Sequence, residues 1–204
     1  MSHVSFSELK NWDKCAFYHK LMHVDKLKLF KGNEYTAFGT AIHDTCENML
    51  LNEHLEVSDF FLEKYKESLK KLADDDYEFD KKLALDMKEQ GLEILPYIKP
   101  ALNSYFSKYK IFSTEEKLFE NVEINDYKYK GYIDLVLQTS DGKYHIIDWK
   151  SCSWGWNSRR KTERMTTYQL TFYKYYFAKK HNIVLDNVET HFALLKRTAN
   201  KDRV

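Results

Sequence analysis

Apolar positions along this chain change their period near residue 112 and again near residue 166. In the first half they recur every three or four residues, the mark of amphipathic helices. Ser5-Phe6-Ser7-Glu8 has capping-box spacing and predicts a helix start, after which Phe6, Leu9, Trp12, Ala16 and Phe17 give one apolar face. Cys15 falls in or at the end of that helix and is expected to be a buried thiol. Residues 20–35 mix lysine with apolar residues around Gly32-Asn33 and predict a loop or short helix. A clearer helix follows over 36–52, with Phe38, Ile42, Cys46, Met49 and Leu50 as its stripe and His43 and Glu47 beside it. From about 58 to 110 the pattern stays helical, interrupted at Asp74-Asp75-Asp76 and bent or ended by Pro96 and Pro100.

Beyond Phe112 the period drops to two. Leu118, Val122 and Ile124 alternate with polar residues, and Asn125-Asp126 marks a turn. Two richer strands follow, 131–137 and 144–150, joined by a loop whose Asp141-Gly142 is a strong hairpin signal. A helix over 166–181 is apolar nearly all round and is expected to be buried against the sheet. A last strand spans 189–195. Three strands, a helix and a fourth strand behind a helical first half predict an α/β arrangement with a mixed sheet. We expect one domain over 1–204, with 53–110 as a helical insertion or cap.

Composition narrows the classes without choosing one. A chain of 204 residues with 16% aromatic residues and few Gly or Pro is globular rather than disordered. A net charge of +1 provides no global basic field, so nucleic-acid binding would need a local patch or metal ions. Three scattered cysteines make no disulfide framework, and no apolar run approaches a membrane span. A soluble, cytoplasmic protein with no membrane partner is expected.

Candidate chemistry gathers on the two central strands. Asp-x-Lys occurs five times, at Asp80, Asp86, Asp126, Asp141 and Asp148, so the tripeptide has little weight alone. Asp148-Trp149-Lys150 differs because it ends an apolar β-run and has a strand acid, Asp134, upstream. Alternation puts Asp148 and Lys150 on one face, and strand pairing can bring Asp134 alongside. Two carboxylates and an ammonium group on one face suit a divalent metal and a phosphate. The loop that follows carries Trp154, Trp156, Arg159, Arg160 and Lys161, which could stack on bases and contact phosphates in DNA, or pack on the helical cap. Gln169 and Tyr173 share a face of the 166–181 helix, where their polar tips need partners. A structural ion-pair cluster in an unrelated α/β protein would leave His43 and Gln169 unexplained.

Four motifs in order carry a resemblance: Gly39-Thr40-Ala41-Ile42-His43, Gly131-Tyr132-Ile133-Asp134, Ile147-Asp148-Trp149-Lys150 and Gln169-Leu170-Thr171-Phe172-Tyr173. Together they resemble the PD-(D/E)XK nuclease superfamily in its RecB-like exonuclease branch, and the 5–15 helix also looks like that branch. The resemblance covers nearly the whole chain, least of all 58–110. It implies a restriction-endonuclease-like core, a mixed sheet flanked by helices. It also implies that Asp134 and Asp148 bind divalent metal, with His43 as a further ligand and the Trp149 backbone carbonyl completing the site. Glu116 sits where some members place another acid. Lys150 would position or activate the attacking water, and Gln169 and Tyr173 would orient the substrate strand.

The activity so implied is hydrolysis of phosphodiester bonds in DNA by metal-activated water, with Mg²⁺ or Mn²⁺ as cofactor. An exonuclease acting on ends of single- or double-stranded DNA is expected, in repair, recombination or phage DNA processing, with a helicase or recombination protein as a candidate partner. The alternative is a non-catalytic, nuclease-like DNA-binding subunit, but such versions usually lose an acid or the Lys, and Asp134, Asp148 and Lys150 are all here. Several members of the branch hold an iron-sulfur cluster with one Cys in the N-terminal helix and three near the C-terminus. Cys15 matches the first, but no Cys follows Cys152 in this sequence, and no cluster is expected.

Overall fold

A computed structural model describes residues 2–27, 30–123, 126–199 and 202–204. The chain divides into two compact units, each assembled from three separate segments. The first comprises Met1–Leu29, Lys110–Asp148 and Asn157–His191, and the second Phe30–Tyr109, Trp149–Trp156 and Phe192–Val204. The expected 53–110 cap therefore falls within a larger unit that also takes in the helix before it.

The first unit opens with a short strand, β1 (His3–Ser5), and a helix, α1 (Phe6–Lys14). Ser5 caps α1 as its sequence requires, its hydroxyl accepting from the Glu8 backbone N–H at 3.2 Å. The helix stops at Cys15 and resumes as a single turn, α2 (Ala16–His19), followed by a π-turn at Lys20–Val24. The expected apolar face is not buried: Trp12 and Phe17 are 60% and 67% exposed, and Cys15 is exposed too. Cys15 has extended backbone (φ −167°) between two helices, which turns its thiol out of any helical stripe.

Strands β2 (Tyr109–Asn121), β3 (Lys128–Thr139), β4 (Tyr144–Cys152) and β5 (Val188–Lys196) complete a five-stranded mixed sheet, with β4 and β5 running on into the second unit. Its order is β1-β3-β4-β5, and β2 also pairs β3. β1 lies parallel to β3, with Val4 opposite Tyr129, a pairing that three residues of sequence could not announce. Ile124 and Asn125, the end of the expected alternation and its turn, lie outside the described residues.

The β3–β4 hairpin turns where Asp141-Gly142 predicts it. Gly142 has φ +86°, a conformation that suits residues without a Cβ. The Asp141 carboxylate accepts from Thr139 Oγ1 at 2.5 Å and from the Lys143 backbone N–H at 3.2 Å, closing the loop. Pairing of Leu135 with Ile147 and Val136 with Ile146 buries four aliphatic side chains at the centre of the sheet.

A single turn, α7 (Ser158–Lys161), precedes α8 (Arg164–His181). α8 is not buried all round as its composition suggests. Leu170, Tyr173, Tyr176, Phe177 and Ala178 form the buried stripe, whereas Tyr168 and Tyr175 are exposed, their hydroxyl ends being compatible with water. Tyr144 packs on Phe177, so one face of β4 looks toward α8. On the other face His145 meets His191 of β5, with ring centroids 5.3 Å apart, and burial lowers the pKa of both imidazoles.

The second unit is built on α3 (Glu34–Leu51), α4 (Val57–Asp74), α5 (Lys81–Ile94) and α6 (Ile98–Tyr105), with a 3₁₀ turn at Leu95–Tyr97 taking up Pro96. α3 begins with a reciprocal cap between Asn33 and Thr36. Its predicted stripe is the core: Phe38, Ile42 and Cys46 are fully buried, and Phe38 sits edge-on to Phe61 and Tyr65 of α4. Gly91 is small because a Cβ there would lie 2.2 Å from the Phe61 ring. Buried Glu34 accepts from the Asp80 backbone N–H at 2.5 Å and from the Tyr77 hydroxyl at 3.2 Å, tying α3 to the start of α5. Arg197 closes this unit, its guanidinium 5.1 Å from the Tyr35 ring centroid and hydrogen-bonded to Gln90 and Ser153. Among the described residues no helix is long and apolar enough to cross a membrane.

Candidate active site

The β3–β4 register places the two strand aspartates. Gln138 pairs with Tyr144 and Leu135 with Ile147, and Asp134 and Asp148 are the next residue on each strand. Asp148 lies on the β4 face that carries Tyr144 and looks toward α8, and the charges of both aspartates act on Tyr173 of that helix. Asp148 is 1% exposed, and its Oδ2 is also buried. Its Oδ1 accepts from Gln169 Nε2 at 3.0 Å. The same amide donates to the Tyr173 hydroxyl at 3.1 Å, one turn further along α8. Gln169 thus links the strand acid to the Tyr173 hydroxyl.

Electrostatics sharpen the picture. Burial pushes the Tyr173 phenol well above its ordinary pKa, and the negative charges of Asp148 and Asp134 push the same way. Tyr129 behaves alike, raised first by burial and then by Tyr173, Tyr176 and Asp148. Both phenols therefore stay protonated at neutral pH and can act only as neutral donors or acceptors. Tyr129 is almost wholly buried beside these residues. Its ring stacks on Tyr176 at 4.3 Å, and a Cβ at Gly131 would sit 3.1 Å from both the Tyr129 and Tyr173 rings. The Gly of the Gly-Tyr-Ile-Asp motif is where two rings close over the strand.

Lys150 follows Asp148 by two residues on β4 and so projects to the same face. Within the second unit its ammonium lies 5.9 Å from the Phe192 ring centroid. Trp149 alternates to the opposite side of the strand and is fully buried. His43 is half-buried on α3, one turn beyond Gly39, and a Cβ at Gly39 would touch Ser151 Oγ at 4.0 Å. The Gly39–His43 side of α3 thus runs along the residues just after Lys150.

Glu116 does not join the aspartates. Its carboxylate accepts from Lys180 Nζ at 2.6 Å and pairs with His181 Nε2 at 2.8 Å, in the last turn of α8. At ~1.5 Å per residue, α8 carries Lys180 about 16 Å from Gln169. Glu116 is an ion-pair partner at the far end of that helix, and a metal ligand at the aspartates would have to leave two cations to get there.

The residues proposed to contact DNA are spread out. Trp154 is 73% exposed, whereas the Trp156 ring packs on Phe192 at 4.9 Å. Arg159, Arg160 and Lys161 are exposed on α7, whose N-terminus is capped by Asn157.

Two carboxylates on adjacent strands, one almost wholly buried, are costly as bare charges, because each buried anion carries a desolvation penalty of several kcal/mol. Hard oxygen donors in that arrangement fit a divalent cation of the Mg²⁺ or Mn²⁺ class, which would neutralise both.

No curated protein matches the sequence. A solved structure described as the crystal structure of SSO0001 is similar at 17% identity over 70% of this chain and 68% of that one, with a TM-score of 0.32. The family model of the PD-(D/E)XK nuclease superfamily, whose members are metal-dependent nucleases, matches residues 3–202. A match over nearly the full length, on a mixed sheet flanked by helices with paired strand aspartates and a following lysine, means that this chain belongs to the PD-(D/E)XK nuclease superfamily.

Proposed function

We propose that the chain is a Mg²⁺- or Mn²⁺-dependent deoxyribonuclease of the RecB-like kind, acting as an exonuclease from DNA ends. The observation that carries this reading is the clamp of Gln169 on the buried Asp148 carboxylate, with Asp134 on the neighbouring strand. Asp134 and Asp148 would hold the ion, with the Trp149 backbone carbonyl and, on the order of the sequence motifs, His43 as further ligands. When bound, the ion supplies neutralisation of phosphate charge and a more acidic water at neutral pH.

The chain's own groups account for orientation. Gln169 spends its amide protons on Asp148 Oδ1 and the Tyr173 oxygen, which fixes the carboxylate's rotation. Because the Tyr173 oxygen accepts from Gln169, its own proton is directed elsewhere and can be donated to a phosphate oxygen of the substrate strand. Burial keeps that proton in place at any physiological pH. Lys150, on the face of Asp148, adds a positive charge where negative charge grows on the phosphoryl group in the transition state. The exposed Trp154 offers a stacking surface for a base, and α7 offers three cations for the backbone. A partner helicase or recombination protein, and a place in DNA repair, recombination or phage DNA processing, follow from the RecB-like reading.

The test compares end-labelled linear and circular DNA, single- and double-stranded, with Mg²⁺, Mn²⁺ or EDTA. The proposal expects linear DNA to be degraded with either metal, circular DNA to survive, and EDTA to stop the reaction. Cleavage of circular DNA would make the enzyme an endonuclease. Binding of DNA without cleavage under both metals would favour a non-catalytic subunit.

A further inference from the structure

On the face of β4 away from Asp148, a second group of ligand-type side chains converges within the first unit. His145 of β4 and Glu189 and His191 of β5 bring one ligand atom each to within 4.8 Å of one another. His145 Nδ1 lies 3.1 Å from His191 Nε2 and 3.5 Å from Glu189 Oε2. Two ligands bound at about 2.05 Å and at the tetrahedral angle stand about 3.3 Å apart, so the spacings from His145 Nδ1 to its two neighbours already suit one ion. We propose that His145 Nδ1, Glu189 Oε2 and His191 Nε2 form a binding site for a zinc-class divalent cation, separate from the Asp134–Asp148 pair.

The hydrogen bonds behind His145 decide which of its nitrogens faces the ion. The Asp141 carboxylate can only accept, so the Thr139 hydroxyl proton is directed to Asp141 Oδ1 at 2.5 Å. The Thr139 oxygen must then accept from His145 Nε2, 3.1 Å away. That bond puts the ring proton on Nε2 and leaves the Nδ1 lone pair aimed at His191 and Glu189. A carboxylate acting through an intermediary to orient a ligating imidazole is the usual support of a metal-bound histidine. Lys143 Nζ engages Glu189 Oε1 at 2.5 Å, which fixes the carboxylate and directs Oε2 inward.

Two imidazoles and one carboxylate favour a borderline ion such as Zn²⁺ over Mg²⁺, whereas paired aspartates favour the harder ions. Three protein ligands leave a fourth position for water. The ion would clamp β5, the last strand, to the β3–β4 hairpin, because its ligands come from both.

The competing arrangement is a plain hydrogen bond from His191 Nε2–H to His145 Nδ1. Titration of the metal-stripped full chain with ZnCl₂ in excess MgCl₂ separates the two. The site predicts one Zn²⁺ per chain, retained in Asp148→Asn. It also predicts affinity weakened about ten- to hundredfold in Thr139→Val, and at least as much in His191→Ala with circular dichroism unchanged. Zinc-edge anomalous diffraction from wild-type crystals soaked in ZnCl₂ needs no variant to fold, and should place the ion between His145, Glu189 and His191. No saturable binding, binding lost in Asp148→Asn but kept in His191→Ala, or an anomalous peak at the aspartates with none between His145, Glu189 and His191 would each overturn the proposal.

Discussion

Replacing Asp148 by Asn should make the protein more stable and inactive at once. Asp148 is 1% exposed, with Asp134 on the neighbouring strand, and its carboxylate accepts from the Gln169 amide at 3.0 Å. Removing one partner of a buried pair usually destabilises, but here the change removes the charge itself and keeps the shape. The carboxamide oxygen can still accept from Gln169, while the repulsion with Asp134 and the desolvation of an anion disappear. Relief of a buried charge of this kind contributes on the order of 1–3 kcal/mol. For a chain of this length that raises Tm by about 2–4 °C per kcal/mol, or roughly 2–12 °C in all. The assay is thermal unfolding in EDTA and again in saturating MgCl₂. With metal at a hundred times its Kd the wild type should gain about 2.7 kcal/mol by linkage, and Asp148→Asn much less. A variant that loses 1 kcal/mol or more in EDTA, or that responds to Mg²⁺ as strongly as the wild type, would refute the reasoning.

Other positions give independent checks. Gly91→Ala drives a methyl group to within 2.2 Å of Phe61, and overpacking of that kind should cost about 1–3 kcal/mol in urea unfolding, more than alanine's helix preference returns. Glu116 has its pKa lowered: burial raises it, but the hydrogen bonds from Lys180 and His181 and the Lys180 charge act the other way and prevail. Its ion pair therefore stabilises the fold above the ordinary glutamate value of 4.5, and that contribution is lost as pH falls below it toward the lowered pKa. Glu116→Gln should flatten the pH dependence of Tm in that window and leave metal-dependent cleavage unchanged; a cleavage defect with a normal Tm profile would return Glu116 to the site. Trp154→Ala, at a position 73% exposed, should change stability by under about 0.5 kcal/mol and weaken single-stranded DNA binding about tenfold in a fluorescence titration.

The parts of this fold that were legible in the sequence are those whose signals are local. Asp141-Gly142 fixed the hairpin, and with it the register that runs from Gln138–Tyr144 to Leu135–Ile147. The α3 stripe was legible because a buried helix face repeats every turn. Burial near the N-terminus was not, since Trp12 and Phe17 have the right spacing and yet remain exposed. Spacing reports which residues share a side, and only the tertiary partner decides whether that side is covered. β1 was missed because three residues cannot carry a period, and its pairing with β3 is made by distant backbone. Glu116 went astray because a strand glutamate looks the same whether it meets a metal or Lys180. The His145–His191 pair depends on β5 returning beside β4. Its one local trace was the Glu189-Thr190-His191 alternation, which puts an acid and an imidazole on the same strand face.

The central claim is that Asp134, Asp148 and Lys150 form a metal-dependent phosphodiesterase centre. Its most direct test is the rate of nucleotide release from end-labelled linear duplex DNA, in MgCl₂ and in EDTA, for the wild type and for Asp134→Asn, Asp148→Asn and Lys150→Ala. The account predicts release by the wild type only with metal, and a fall of at least about a hundredfold in each variant while the fold and DNA binding persist. Release at the wild-type rate by any of the three variants, or by the wild type in EDTA, would contradict it.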